Sequence, residues 1–134
     1  MALFPLEGPR LFASLDPFLP PVPGQTLAGR GVANHQFLLA LMRHGSFEGF
    51  HFFLATPEEL REFRSTYGAV APGGAPISSL PRRSLIERLS ETDYTAFHLA
   101  DHIRGYQALC CLRNERANHP VPVTALIHGI SDPG

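Results

Sequence analysis

The sequence predicts an α/β fold: a Rossmann-like open parallel sheet of about five strands with helices on both faces. Short apolar segments alternate with helical patterns along the chain, as in βαβ units joined by right-handed crossovers. Two of these segments end on a histidine, His98 and His128, and about twenty residues of helical pattern separate them. With 134 residues and 44% hydrophobic residues, the chain is long enough for one core and too short for two ordinary domains.

The order of elements follows from apolar runs and helix signals. Strands are predicted over 10–15, 49–54, 77–80, 95–99 and 123–128. Helices are predicted over 32–44, 57–67, 82–90 and 103–118. The second helix has the clearest start, because Thr56 supplies an N-cap and Pro57 suits the first helical position. Residues 16–31 hold four prolines and three glycines, which predicts a long loop.

Composition excludes several classes of protein. A net charge of -1 at pH 7 leaves no basic footprint for nucleic acid or an anionic membrane surface. The N-terminus lacks the pattern of a signal peptide, and no window approaches the roughly eighteen apolar residues of a transmembrane helix. Cys110 and Cys111 are adjacent on a predicted helix and read as small helix residues, because no CxxC pair accompanies them. We therefore expect a cytoplasmic protein with no cofactor and no metal.

The C-terminal part of the chain carries a resemblance to a known family. The run Pro122-Val-Thr-Ala-Leu-Ile-His128-Gly-Ile-Ser131 resembles a pattern in the N-terminal Rossmann-like domain of group 1 type GT-B glycosyltransferases. In that family the histidine closes a strand beside the cleft between two domains. The specific part of the resemblance spans residues 93–132, while the order of elements extends it over most of the chain.

The resemblance implies roles for several residues. His128 would be the catalytic residue, and His98, Asp101 and Ser131 would bind substrate at the same cleft. The family also has a glycine-rich loop after its first strand that approaches the donor diphosphate. Three glycines have the corresponding place here, namely Gly24, Gly29 and Gly31.

The resemblance also implies that the chain is one wall of a cleft. Such enzymes bind most of the nucleotide-sugar in a second, C-terminal domain, and this chain ends at Gly134. We therefore expect residues 1–134 to form the acceptor-side domain, incomplete without its partner domain and inactive alone. Its partners would be a nucleotide-sugar donor, an acceptor hydroxyl whose identity the sequence leaves open, and the missing domain.

Other interpretations of the same residues remain open. His128 can instead be a structural histidine that is hydrogen-bonded to a loop. His98, Asp101 and His102 can form the polar start of a helix or, less readily, a metal cluster. The amide groups at the start of the helix near Ile103 suit an anion, with Arg104 beside them or simply exposed. The remaining histidines are expected at the surface or in strand packing: His35, His44, His51 and His119.

Other function classes fit the sequence less well. The chain has no Gly-x-Ser-x-Gly elbow and no complete Gly-x-Gly-x-x-Gly fingerprint, which disfavours hydrolase and NAD-binding functions. The alternative from another class is a non-catalytic α/β binding or regulatory module, such as a receiver-like domain. A receiver needs clustered acidic residues after its first strand, where only Asp16 is suitably placed.

Overall fold

The computed structural model describes residues 9–20, 28–100, 105–118 and 120–125, and for residues 28–31 it describes the backbone alone. Strands and helices alternate through these residues, as the sequence predicts. In chain order they are β1 (Leu11–Ser14), α1 (Ala28–His44), β2 (Gly49–Leu54), α2 (Pro57–Tyr67), β3 (Ile77–Pro81), a 3₁₀ turn (Arg82–Ser84), α3 (Leu85–Glu91), β4 (Ala96–Leu99), α4 (Tyr106–Arg116) and β5 (Val123–Ala125).

The strands form one five-stranded sheet in the order β3-β2-β1-β4-β5, and every pairing is parallel. In the register of the central strand, Phe12 lies opposite Phe50 on one side and Ala96 on the other. The predicted α/β fold with a Rossmann-like open parallel sheet is confirmed.

Successive residues of each strand point to opposite faces of the sheet, and each face is covered by two helices. On one face, Phe12, Phe50 and Phe52 pack with the buried side chains of α1 and α2. On the other face, Phe53 and Phe97 pack with α3 and α4. The predicted placement of helices on both faces is therefore confirmed.

Helix α2 begins as its sequence predicts. The Thr56 hydroxyl accepts a hydrogen bond from the Glu59 amide at 3.1 Å, and Pro57 is the first helical residue. The Glu59 carboxylate accepts a bond in return from the Ala55 amide at 3.0 Å. These bonds satisfy amide groups that the helix itself leaves without partners.

The starts of two helices and the place of His98 differ from the predictions. Helix α1 begins at Ala28 instead of Val32, because the prolines that precede it in the sequence all come before Gly24 and none interrupts the helix. Strand β4 ends at Leu99 as predicted, so His98 lies one residue before the end of the strand and does not close it. Helix α4 begins at Tyr106, because Gly105 has the left-handed φ of 76° that a continuing helix excludes.

Two further segments match in part. The predicted helix over 82–90 is a 3₁₀ turn followed by α3, which ends at Glu91. The strand predicted over 123–128 is present at Val123–Ala125, and its remaining three residues lie outside the described ranges.

Candidate functional site

The sheet has a topological switch point between β1 and β4. The chain leaves β1 through α1 on one face of the sheet and leaves β4 through α4 on the other. Neighbouring parallel strands whose connections depart to opposite faces leave a crevice at their carboxyl ends, and ligands of open α/β sheets bind there. This edge is the candidate functional site.

Asp16 joins the two strands at this edge. Its backbone amide donates to the Ser14 hydroxyl at 3.1 Å, which turns the chain directly after β1. Its Oδ2 accepts a hydrogen bond from the Ala100 amide at 2.5 Å, directly after β4. A charge-assisted bond of this kind fixes the spacing of the two strand ends.

Phe18 fixes the first part of the loop that follows β1. Its side chain is only 3% exposed and its ring stacks on the His98 ring, with centroids 6.2 Å apart. Its φ of 50° lies in the left-handed region, which costs a bulky residue on the order of 1–3 kcal/mol. Surrounding contacts hold this conformation, and one of them is a bond from the Tyr67 hydroxyl to the Phe18 carbonyl oxygen.

The Tyr67 hydroxyl also determines the tautomer of His35. A carbonyl oxygen only accepts, so Tyr67 uses its single proton on Phe18. His35 Nδ1, 2.7 Å from the same oxygen, therefore carries a proton and donates it. Burial raises the pKa of Tyr67 well above its ordinary value, which keeps the hydroxyl protonated. His35, expected at the surface or in packing, instead belongs to a bonded chain that links α1, α2 and the loop after β1.

His98 is buried beneath the candidate site. Its side chain is 6% exposed and lies among the rings of Phe12, Phe18 and Phe37, with the Phe37 centroid 4.8 Å away. Its Nδ1 is 2.7 Å from the Thr124 hydroxyl on β5. Burial lowers the pKa of His98, so the ring is neutral at physiological pH, with one nitrogen donating and the other accepting.

Arg82 connects the ends of two other strands at the same edge. Its Nη2 donates to the Leu15 carbonyl at 2.6 Å, and its Nε donates to the Phe53 carbonyl at 3.4 Å. The guanidinium therefore bridges the residue after β1 and a residue near the end of β2. Its positive charge thereby lies at Leu15, the residue that precedes Asp16 in the chain.

A second histidine lies on the opposite face of the sheet and has a structural part. His51 Nδ1 is 2.7 Å from the hydroxyl of Tyr94, which is fully buried. Burial and the nearby Arg88 charge lower the pKa of His51. Burial raises the pKa of Tyr94 to about 12, opposed by Arg88 and by a hydrogen bond with Thr92. This pair belongs to the core between the sheet and α3.

The predicted site residues are only partly within the described ranges. Gly29 and Gly31 lie in the first turn of α1, so they begin a helix instead of forming a loop. His98 lies beneath the crevice, as described above. The other predicted site residues fall outside the described residues: Gly24, Asp101, His128 and Ser131. His102, Ile103 and Arg104 fall outside them as well.

Several residues at this edge were not assigned to the site from the sequence: Ser14, Asp16, Phe18, Tyr67 and Arg82. Ser-Leu-Asp at the end of a strand is a turn signal, because short polar side chains hydrogen-bond to nearby backbone amides, and it points to Asp16. Tyr67 and Arg82 act through distant partners, in Phe18 and Leu15, and no local pattern reveals such bonds.

An open groove lies away from this edge, along β3. It has a volume of about 550 Å³, and Arg64 and Ser79 are among its lining residues. Arg64 donates to the Ser79 hydroxyl at 2.8 Å and to the Ser79 carbonyl at 3.1 Å. These bonds occupy the polar groups of an edge strand, and so we place the functional site at the switch point and not in this groove.

The described residues offer neither a metal-binding group nor a membrane-spanning helix. Within them, no three histidine, cysteine or carboxylate side chains are grouped to hold a metal ion. Cys110 and Cys111, both on α4, are free thiols. None of the helices in the described part of the chain combines the length and apolar character needed to cross a bilayer.

Comparison with family models, with curated proteins and with solved structures returns no match to this chain.

Proposed function

We propose that this chain forms the acceptor-side half of a GT-B glycosyltransferase, which moves a sugar from a nucleotide donor to an acceptor hydroxyl. The observation that carries the proposal is the switch point between β1 and β4, at the carboxyl edge where Rossmann-like sheets bind nucleotides and their sugars. The sequence resemblance over residues 93–132 supports the same assignment.

The first turn of α1 suits the diphosphate of such a donor. Helix N-termini present unpaired amide groups and a partial positive charge, which favour phosphate. Gly29 and Gly31 lie in this turn, and with no side chain beyond Cα they let a phosphate approach the backbone closely. Both glycines keep their proposed role as donor-phosphate residues, together with Gly24.

Glycosyl transfer needs few groups from this half of the enzyme. The bond between the sugar C1 and the diphosphate oxygen breaks, a bond from C1 to the acceptor oxygen forms, and the acceptor loses its proton. His128 is proposed to form a hydrogen bond to the reacting sugar or to take that proton, since a neutral imidazole offers one hydrogen-bond donor and one acceptor. Asp101 and Ser131 are proposed to bind substrate hydroxyls beside it.

The test is turnover of activated sugars by the full gene product. UDP-, GDP-, dTDP- and ADP-sugars are incubated with the protein, and release of the nucleoside diphosphate is measured over long times, with water or added sugars as acceptors. Release from one donor class supports the proposal. No release and no binding of any of the four donors overturns it and favours a non-catalytic α/β module.

A further inference from the structure

Two buried polar atoms in the described part of the chain have no hydrogen-bond partner: Asn34 Oδ1 and His98 Nε2. Their residues are 7% and 6% exposed. A buried polar atom without a partner destabilises the folded state, and native proteins rarely retain such atoms without a bound group that satisfies them.

The two residues lie in the same layer of the molecule. Asn34, Leu38 and Met42 are buried at successive turns of α1, so this stripe faces the sheet. Phe37, one turn after Asn34, has its ring centroid 4.8 Å from that of His98. Because α1 runs antiparallel to the strands, Asn34 lies one turn closer than Phe37 to the carboxyl edge, beneath the switch point.

The hydrogen-bonding capacities define the missing group. Asn34 Oδ1 only accepts, so the missing group must donate to it. His98 is neutral, and its Nδ1 can accept the Thr124 hydroxyl proton, which leaves Nε2 as an N–H donor. A group that accepts from His98 Nε2 and donates to Asn34 Oδ1 then satisfies every polar atom. A hydroxyl does both, whereas a carboxylate cannot donate and an ammonium cannot accept.

We propose that Asn34 Oδ1 and His98 Nε2 form one enclosed binding site for a hydroxyl group, between α1 and β4. The hydroxyl comes from an internal water molecule or from a sugar that enters through the crevice above. The sugar source rests on the proposed function, whereas the water source is independent of it.

A double-mutant cycle tests whether the two residues share a group. Asn34→Leu removes the acceptor at similar volume, and His98→Asn keeps a polar group near the Nδ1 position while removing Nε2. We expect each variant to lower Tm and the double variant to lose clearly less than the sum, because both remove the same bound hydroxyl. The matched control is Met42→Leu on the same stripe of α1, whose effect should add to that of His98→Asn.

Two results of the same measurements would overturn the proposed hydroxyl site. If Asn34→Leu raises Tm, Oδ1 was an unsatisfied group with nothing bound to it. Additive effects of Asn34→Leu and His98→Asn mean that no hydroxyl joins the two residues.

Imidazole ¹⁵N spectra of the purified protein separate the two sources. We expect a neutral ring with the proton on Nε2. A contact between bulk-exchanging water and His98 that glucose leaves unchanged identifies water. A saturable shift of Nε2 on adding glucose, absent in Asn34→Leu, identifies a sugar hydroxyl.

A ring with its proton on Nδ1 and neither response overturns the proposal. Detection of water alone leaves the glycosyltransferase proposal intact. Failure of donor turnover leaves a water site intact, so the two proposals fail independently.

Discussion

The carboxylate of Asp16 accepts a hydrogen bond from the Ala100 amide over 2.5 Å, and this bond joins the carboxyl ends of β1 and β4. Asp16 follows β1 and Ala100 follows β4, so one side chain sets the spacing of the two strand ends at the switch point. A ligand at this edge depends on that spacing, because the crevice exists only where the two connections part.

Asp16→Ala should lower the free energy of unfolding by about 1.5–3 kcal/mol, the usual contribution of a hydrogen bond to a charged group. Asp16→Asn retains an acceptor oxygen and should lose less. Urea unfolding at neutral pH measures both. Glu58→Ala is the control, because Glu58 is exposed and its 3.7 Å ion pair with Arg61 should contribute little to stability. Equal stability of Asp16→Ala and the unmodified chain would contradict the structural role of this bond.

Tyr67→Phe should release the loop after β1. The change leaves the Phe18 carbonyl without its bond to Tyr67 and removes the acceptor of the His35 proton. We expect faster amide exchange over residues 16–19, with exchange in β2 unchanged. Thr66→Val is the control, because the Thr66 hydroxyl donates to the Glu62 carbonyl on the same helix and its bond does not involve the segment after β1. Equal acceleration in both variants, or none in Tyr67→Phe, would show that Tyr67 does not hold this loop.

Stability should fall as the pH drops below neutrality, because burial lowers the pKa of both His51 and His98 from the ordinary 6.5. Between these lowered values and pH 6.5, the unfolded chain binds more protons than the folded chain, so the free energy of unfolding decreases with falling pH. The stability that the two neutral histidines contribute is complete above pH 6.5. Its loss levels off once the pH lies below their folded-state pKa values.

The double variant His51→Asn/His98→Asn isolates this effect. Its unfolding midpoint in urea should change less between about pH 7.5 and 5.5 than that of the unmodified chain, since histidines of the unfolded chain take up protons near pH 6.5 while burial disfavours protonation of the folded ones. His44→Asn is the control, because His44 is exposed at the end of α1. An unaltered pH dependence in the double variant would contradict burial of the two rings.

His128→Ala should lower the turnover of the full gene product by roughly 10²–10⁴-fold, the usual contribution of a positioned acid-base group. Folding should survive, because the proposal places His128 at a cleft and not in the core. His44→Ala is the matched histidine control and should retain full activity. An unchanged kcat/KM in His128→Ala would remove His128 from the proposed site.

The fold was predictable because its signals are local. Alternating apolar and helical segments give the element order, and Thr56-Pro57 gives the start of α2. The start of α1 was missed because Gly29 and Gly31 look like helix breakers, although glycine in a first turn removes no hydrogen bond from the helix. The start of α4 was predicted too early, at Ile103, because the left-handed φ of Gly105 that precedes the helix is not visible in the sequence.

The candidate site was less predictable because it is assembled from distant parts of the chain. His98 was identified from its place near the end of a strand, but its burial among three phenylalanine rings depends on how β1, α1 and the loop after β1 pack. Asn34 and Tyr67 carry no local signal. Tyr67 matters because the fold brings Phe18 and His35 to its hydroxyl. Asn34 matters because its Oδ1 is buried without a partner among the described residues.

The position at which a donor binds distinguishes the switch point from any other site on the molecule. Backbone amide shifts of the ¹⁵N-labelled protein are recorded while UDP-glucose, GDP-mannose, dTDP-glucose and ADP-glucose are added in turn. We expect one of these donors to shift the amides of residues 16–19, 29–32 and 100 together, since these residues border the β1–β4 crevice. Shifts centred on Arg64 and Ser79 along β3, or no shift with any donor at millimolar concentration, would contradict a donor site at the switch point.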